Sequence, residues 1–153
     1  MANLGDRIQR AVEEMTGNEA LLEMLDTDAA VEMLNWGKAL ASAVVKRTDG
    51  MDDLAADLAL LPRLKAVRQV MRSVGNWAAG KYADAADRIQ LREKLLAHFQ
   101  TIFGEDANLP SADRMDAVLG EVDHGENSHQ LILKFKEMLN EVDTGDSNDV
   151  PTA

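Results

Sequence analysis

Two imidazoles and two carboxylates fall within seven residues at Asp123, His124, Glu126 and His129. Nitrogen and oxygen donors of this kind suit zinc, nickel or manganese, so these four form the candidate metal set of the chain. The dependable helical motif needs two histidines four residues apart on one helix face, and here Gly125 and a helix start intervene. Solvated turn chemistry is the ordinary reading of the same residues. His98, in LLAHFQ, lies beside Phe99 but off the apolar stripe of its segment, as a boundary histidine making one hydrogen bond would.

A second group could act through charge. The stretch from Pro62 to Lys81 contains Arg63, Lys65, Arg68, Arg72 and Lys81 and no Asp or Glu, in a chain of net charge −11. Residues 1–60 carry 5 basic and 12 acidic groups, residues 61–100 carry 8 and 3, and residues 101–153 carry 3 and 12. Counting about 100° per residue on a helix over 62–80, Val67, Val70, Val74 and Trp77 fall within roughly 80° of one another. Lys65, Arg68 and Arg72 fall within roughly 60°, nearly opposite. Such a stripe, with Arg63 and Lys81 at its ends, fits an acidic partner or a phosphate backbone. The competing reading is a solvated face paired to acids on neighbouring helices, each exposed pair contributing about 0 to 1 kcal/mol.

Little else in the chain is built for chemistry. There is no cysteine, hence no disulfide, thiolate metal site or cysteine nucleophile. No glycine-rich phosphate loop and no serine elbow occurs. The Asp143-Thr144-Gly145 tripeptide of aspartic proteases recurs easily by chance and here opens an aperiodic tail. The acid groups Asp49, Asp52, Asp53 and Asp143, Asp146, Asp149 lack the twelfth-position Glu of a calcium loop. No catalytic residue and no cofactor is therefore assigned.

The elements that must hold these residues are helical. At 153 residues with 46% hydrophobic but only 4% aromatic content, the core draws on Leu, Val, Ala, Met and Ile, and the strong helix formers outnumber the strand formers. The periodicity predicts an all-α chain: a compact antiparallel bundle of six to eight helices over 1–142, with 143–153 as a disordered acidic tail. A short helix runs from Asp6 to Met15. A second, NEALLEML, follows Asn18, and a third over 28–47 places Val31, Leu34, Ala41 and Val45 on one face. Gly37, inside it, leaves room for a neighbouring helix to approach. A run from Asp53 to Leu61 meets a boundary or kink at 61/62, because Pro62 lacks a donor and suits the first turn of a new, basic helix. A helix over 85–103 carries the stripe Ile89, Leu96, Phe99 and Phe103, supported by Leu95 and Ile102, and ends at Gly104. Ser111 caps a helix over 112–122, and Asn127 or Ser128 caps the last, over 128–142. Expected core positions are Leu34, Leu40, Val44, Val70, Val74, Trp77, Leu96, Phe99, Phe135 and Leu139.

Two functional expectations follow. One is a non-enzymatic protein–protein interaction module, or small subunit of a larger cytoplasmic assembly, with a protein partner or self-association. Its motive is the missing catalytic constellation together with more apolar helix face than a small bundle hides, at Leu21–Leu25 and Leu131–Leu133. The alternative is a subunit of a nucleoprotein complex that touches the nucleic-acid backbone with the basic helix 62–80. No apolar signal core or membrane span is visible, so a cytoplasmic protein without a membrane partner is expected.

Overall fold

The chain is all-α. The structure, a computed structural model, describes residues 3–15, 27–82, 84–104 and 108–140. Among the described residues there are six α-helices and no strand: α1 (Leu4–Met15), α2 (Thr27–Lys46), α3 (Asp53–Ala78), α4 (Ala85–Phe103), α5 (Ala112–Leu119) and α6 (Ser128–Asn140), with a 3-10 turn (Gly120–His124) between the last two. The expected helix over 18–25 and the expected tail over 143–153 lie outside the described residues.

Side-chain caps set most of the helix starts. Asp52, Asp84 and Ser111 accept from the backbone N–H of Ala55, Ala86 and Arg114 at 2.8, 3.1 and 3.1 Å. Two reciprocal boxes do more. Asn127 and Gln130 exchange backbone-to-side-chain bonds of 2.9 and 3.2 Å at the start of α6. Asn3 and Asp6 do the same at 2.8 and 3.4 Å, so α1 begins before Asp6, and Asp6 reaches back to the cap.

The break expected at Leu61/Pro62 does not occur. Residues 53 to 78 form one 26-residue helix, so the basic segment is the continuation of a longer element. Proline removes one helical hydrogen bond, that to the carbonyl of Leu58. Both Leu58 and Pro62 are exposed, where water can take that bond, while Ala56, Leu60 and Leu64 are buried on the other side and carry the helix through.

The core is one cluster fed by every helix. α2 packs on α1, α3 and α6; α4 packs on α3 and α5. Phe135 of α6 is its centre, with ring centroids of Trp36, Trp77 and Phe99 at 5.7, 5.9 and 6.1 Å in edge or tilted geometry. The Trp77 indole N–H donates to the Leu119 carbonyl at 2.8 Å, which ties α3 to the end of α5. Gly37 of α2 is a notch: a Cβ there would lie 2.4 Å from the buried Met71 Sδ, so this glycine permits the α2–α3 approach.

Several inward faces are rotated from the expected ones. On α4 the buried positions are Leu91, Leu95, Phe99 and Ile102, whereas Ile89 is 47% exposed and Leu96 and Phe103 only half-buried. On α2 Val31 is 51% exposed and Leu34 half-buried; Met33, Trp36, Leu40 and Val44 turn inward with Ala41 and Val45. The remaining eight expected core residues are buried. The apolar surplus expected at 131–133 is mostly absorbed as well, because Leu131 and Ile132 are buried and only Leu133 emerges.

A buried arginine joins the N-terminal helix to this frame. Arg7 donates to the Thr48 carbonyl and hydroxyl at 3.0 and 3.2 Å, to the Met51 carbonyl at 3.0 Å and to Asp53 at 2.9 Å. It thereby satisfies the polar groups of the α2–α3 turn, and Arg10 adds an exposed pair with Asp57 at 3.3 Å. These bonds tie α1, which packs on α2, to the α2–α3 turn and to the first turns of α3.

Candidate interaction surface on α3

The geometry expected of the basic stripe is present in its central part. Lys65, Arg68 and Arg72 are exposed, and among the described residues no carboxylate pairs with any of them. With Gln69 they line a shallow groove of about 210 Å³. Arg63 and Lys81 do not join them. Arg63 is turned roughly 160° away on the helical wheel, half-buried, and donates back to the Ala59 carbonyl at 2.7 Å. Lys81 lies past the end of α3, where its backbone N–H caps Asn76 at 2.9 Å, and it lines a separate groove with Tyr82, Asp87 and Lys94.

The N-terminal half of the same face is apolar. Leu54, Leu58 and Leu61 are 71%, 66% and 68% exposed. Their spacing of four and three residues runs on without a break, four residues to Lys65, then three to Arg68 and four to Arg72. At 100° per residue all six positions lie within about 80°, opposite the buried line Ala56, Leu60, Val67, Val70 and Val74. Single exposed leucines are ordinary on a protein surface, but three in register on one ridge are a contiguous patch. Beside Leu61, a groove of about 280 Å³ opens between α1 and α3, lined by Ala11, Leu60, Leu61 and Leu64 and by Arg10 and Asp57.

Several other cations of the molecule are matched. Arg88 meets Asp123 at 2.8 Å and Arg92 meets Asp116 at 2.6 Å, which clasps α4 to α5 and the 3-10 turn. Lys134 holds Glu126 at 2.7 Å and Glu121 at 3.1 Å; these carboxylates keep its ammonium charged above the usual lysine range. Lys136 bonds Glu32 across α2 and α6, and that hydrogen bond holds the Glu32 carboxyl below its ordinary range despite some burial.

The four residues of the candidate metal set are drawn into this pairing and apart from one another. Asp123 faces Arg88, Glu126 faces Lys134, His124 is exposed on the 3-10 turn, and His129 Nε2 lies 3.6 Å from Glu32 on α2. Among the described residues no three His, Asp or Glu side chains gather in a way that could hold a metal ion. His98 on α4 is half-buried, and desolvation, with Lys94 nearby, pushes its pKa below the ordinary histidine value.

No protein-family model, curated protein or solved structure matches this chain. Among the described residues no helix is long and apolar enough to cross a membrane. The leucine half of the surface escaped the reading of the sequence, although its signal was present: Leu54, Leu58 and Leu61 have the spacing of a core stripe, and that spacing does not say which way it faces.

Proposed function

We propose that this protein is a non-enzymatic helical interaction module, or a small subunit of a larger cytoplasmic assembly, that docks a protein partner on the outward face of α3. In this reading the helices form one antiparallel bundle that holds α3 rigid. The observation that carries it is the ridge Leu54, Leu58 and Leu61 running in register into three cations that meet no carboxylate among the described residues. Water-exposed leucine gains about 25 cal/mol for each Å² of apolar area that a partner covers, and desolvated ridges of this kind anchor helix-on-helix interfaces.

The test compares co-purification from the native cell for the unmodified chain and for a Leu54→Ser/Leu58→Ser/Leu61→Ser variant. These side chains contribute little to the core, so the variant should unfold at an unchanged denaturant midpoint while losing a specific partner. An unchanged set of co-purifying proteins would overturn the reading.

A second reading is favoured by the three cations alone. A subunit touching a nucleic-acid backbone with Lys65, Arg68 and Arg72 would show binding that weakens steeply with salt and is lost evenly across sequences when all three charges are removed. It leaves the adjoining leucines without a role, which places it second.

A further inference from the structure

The outward stripe of α3 changes chemistry once along its length, between Leu61 and Lys65. From position 54 to position 72 it extends about 27 Å at 1.5 Å per residue, so a partner helix would follow it for about five turns. Alternating spacings of four and three residues are the pattern on which two helices interlock knobs into holes. The groove between α1 and α3 flanks the leucine half and has room for an apolar side chain reaching past Leu61.

Charge and apolarity together select the occupant. A phosphate backbone satisfies the three cations and sets the leucines against more charge. A second copy aligned in parallel brings leucine onto leucine but also cation onto cation; an antiparallel copy overlapping along the whole stripe lays leucines on cations. A helix with apolar positions in one half and carboxylates in the other satisfies both halves at once.

Resting on the docking reading above, we infer that the partner presents an acidic amphipathic helix: apolar residues at alternating three and four spacing against Leu54, Leu58 and Leu61, and Asp or Glu continuing that spacing against Lys65, Arg68 and Arg72. It runs antiparallel to α3. In that direction its carboxylates occupy its own N-terminal turns, where the helix dipole favours negative charge. Apolar contact then supplies affinity, and the charges set direction and suppress wrong partners.

Synthetic helical peptides test this on the full chain by fluorescence anisotropy. The first carries glutamates in its N-terminal half and leucines in its C-terminal half along one face; the second has glutamine for glutamate, the third reverses the order, and a duplex oligonucleotide is the fourth probe. The glutamate peptide should bind about ten-fold tighter than the glutamine peptide at low salt, and the advantage should vanish with added salt. It should also vanish in the Lys65→Glu/Arg68→Glu/Arg72→Glu variant, whose changes are all on exposed positions. Equal binding of the glutamate and glutamine peptides would overturn the acidic partner and leave the docking surface standing. Equal or tighter binding of the reversed peptide would overturn the antiparallel direction. Binding of the oligonucleotide alone, or of no probe, would overturn the proposal, and the oligonucleotide result would also remove the docking reading beneath it.

Discussion

Arginines and lysines of α3 and α4 meet different fates. On α4, Arg88 and Arg92 are drawn onto Asp123 and Asp116, and the pairs close the joint with α5. On α3, Lys65, Arg68 and Arg72 meet no carboxylate among the described residues, in a chain with 27 acidic residues. Composition would have predicted neutralisation on both faces. What decides is position: α5 lies within reach of α4, whereas the buried side of α3 takes up its neighbours and leaves the opposite side to solvent.

The sharpest way to break this contrast is to compare the two sides of α3. Trp77→Ala on the inner side removes a fully buried ring and leaves the Leu119 carbonyl without its donor, and should cost about 3–5 kcal/mol in urea unfolding. Leu58→Ala on the outer side should stay within about 0.5 kcal/mol. Losses of similar size would mean that the outer stripe is covered in the isolated chain. Gly37→Ala probes the inner side again: its Cβ meets Met71, itself buried, and the overpacking of about 1–3 kcal/mol should exceed the gain of about 1 kcal/mol in helix propensity.

Smaller effects should separate the two outer faces. Removing the α4 pair by Arg92→Ala should lower stability by up to about 1 kcal/mol, whereas Lys65→Ala/Arg68→Ala/Arg72→Ala should leave the urea midpoint unchanged or slightly raised. The smallest effect concerns pH. The Glu32 carboxyl is held below its ordinary value of 4.5 in the folded chain, so its contribution is present above that value and fades as pH falls through the lowered one. Lys136→Met should therefore flatten the acid limb of stability below about pH 4.5, read from urea midpoints across that range.

Much of this architecture was legible because it is local. The cap at Ser111, the glycine end at Gly104, and the opposition of Val70, Val74 and Trp77 to Lys65, Arg68 and Arg72 follow from spacing alone. Where the chain departs from expectation, contacts distant in sequence decide. Local chemistry at Pro62 favours a boundary or kink, yet the buried residues on either side of it keep α3 one helix. DLAADLALL holds two apolar lines, Leu54-Leu58-Leu61 and Ala56-Leu60, and the stronger one faces out. Contacts distant in sequence accompany that choice, such as Arg7 of α1 reaching Thr48, 41 residues away, and no periodicity within α3 reports them. Asp123, Glu126 and His129 of the candidate metal set likewise meet Arg88, Lys134 and Glu32, partners that their own spacing does not report.

The most direct test of the docking surface places a photoreactive side chain at Leu58 and, separately, at Ile89, an apolar and exposed position on α4. Irradiated in the native cell, the chain labelled at Leu58 should give one defined adduct with another polypeptide, and the adduct should disappear when Lys65, Arg68 and Arg72 are all changed to Glu. The chain labelled at Ile89 should give none. No adduct from Leu58, or the same adducts from both positions, would contradict the account.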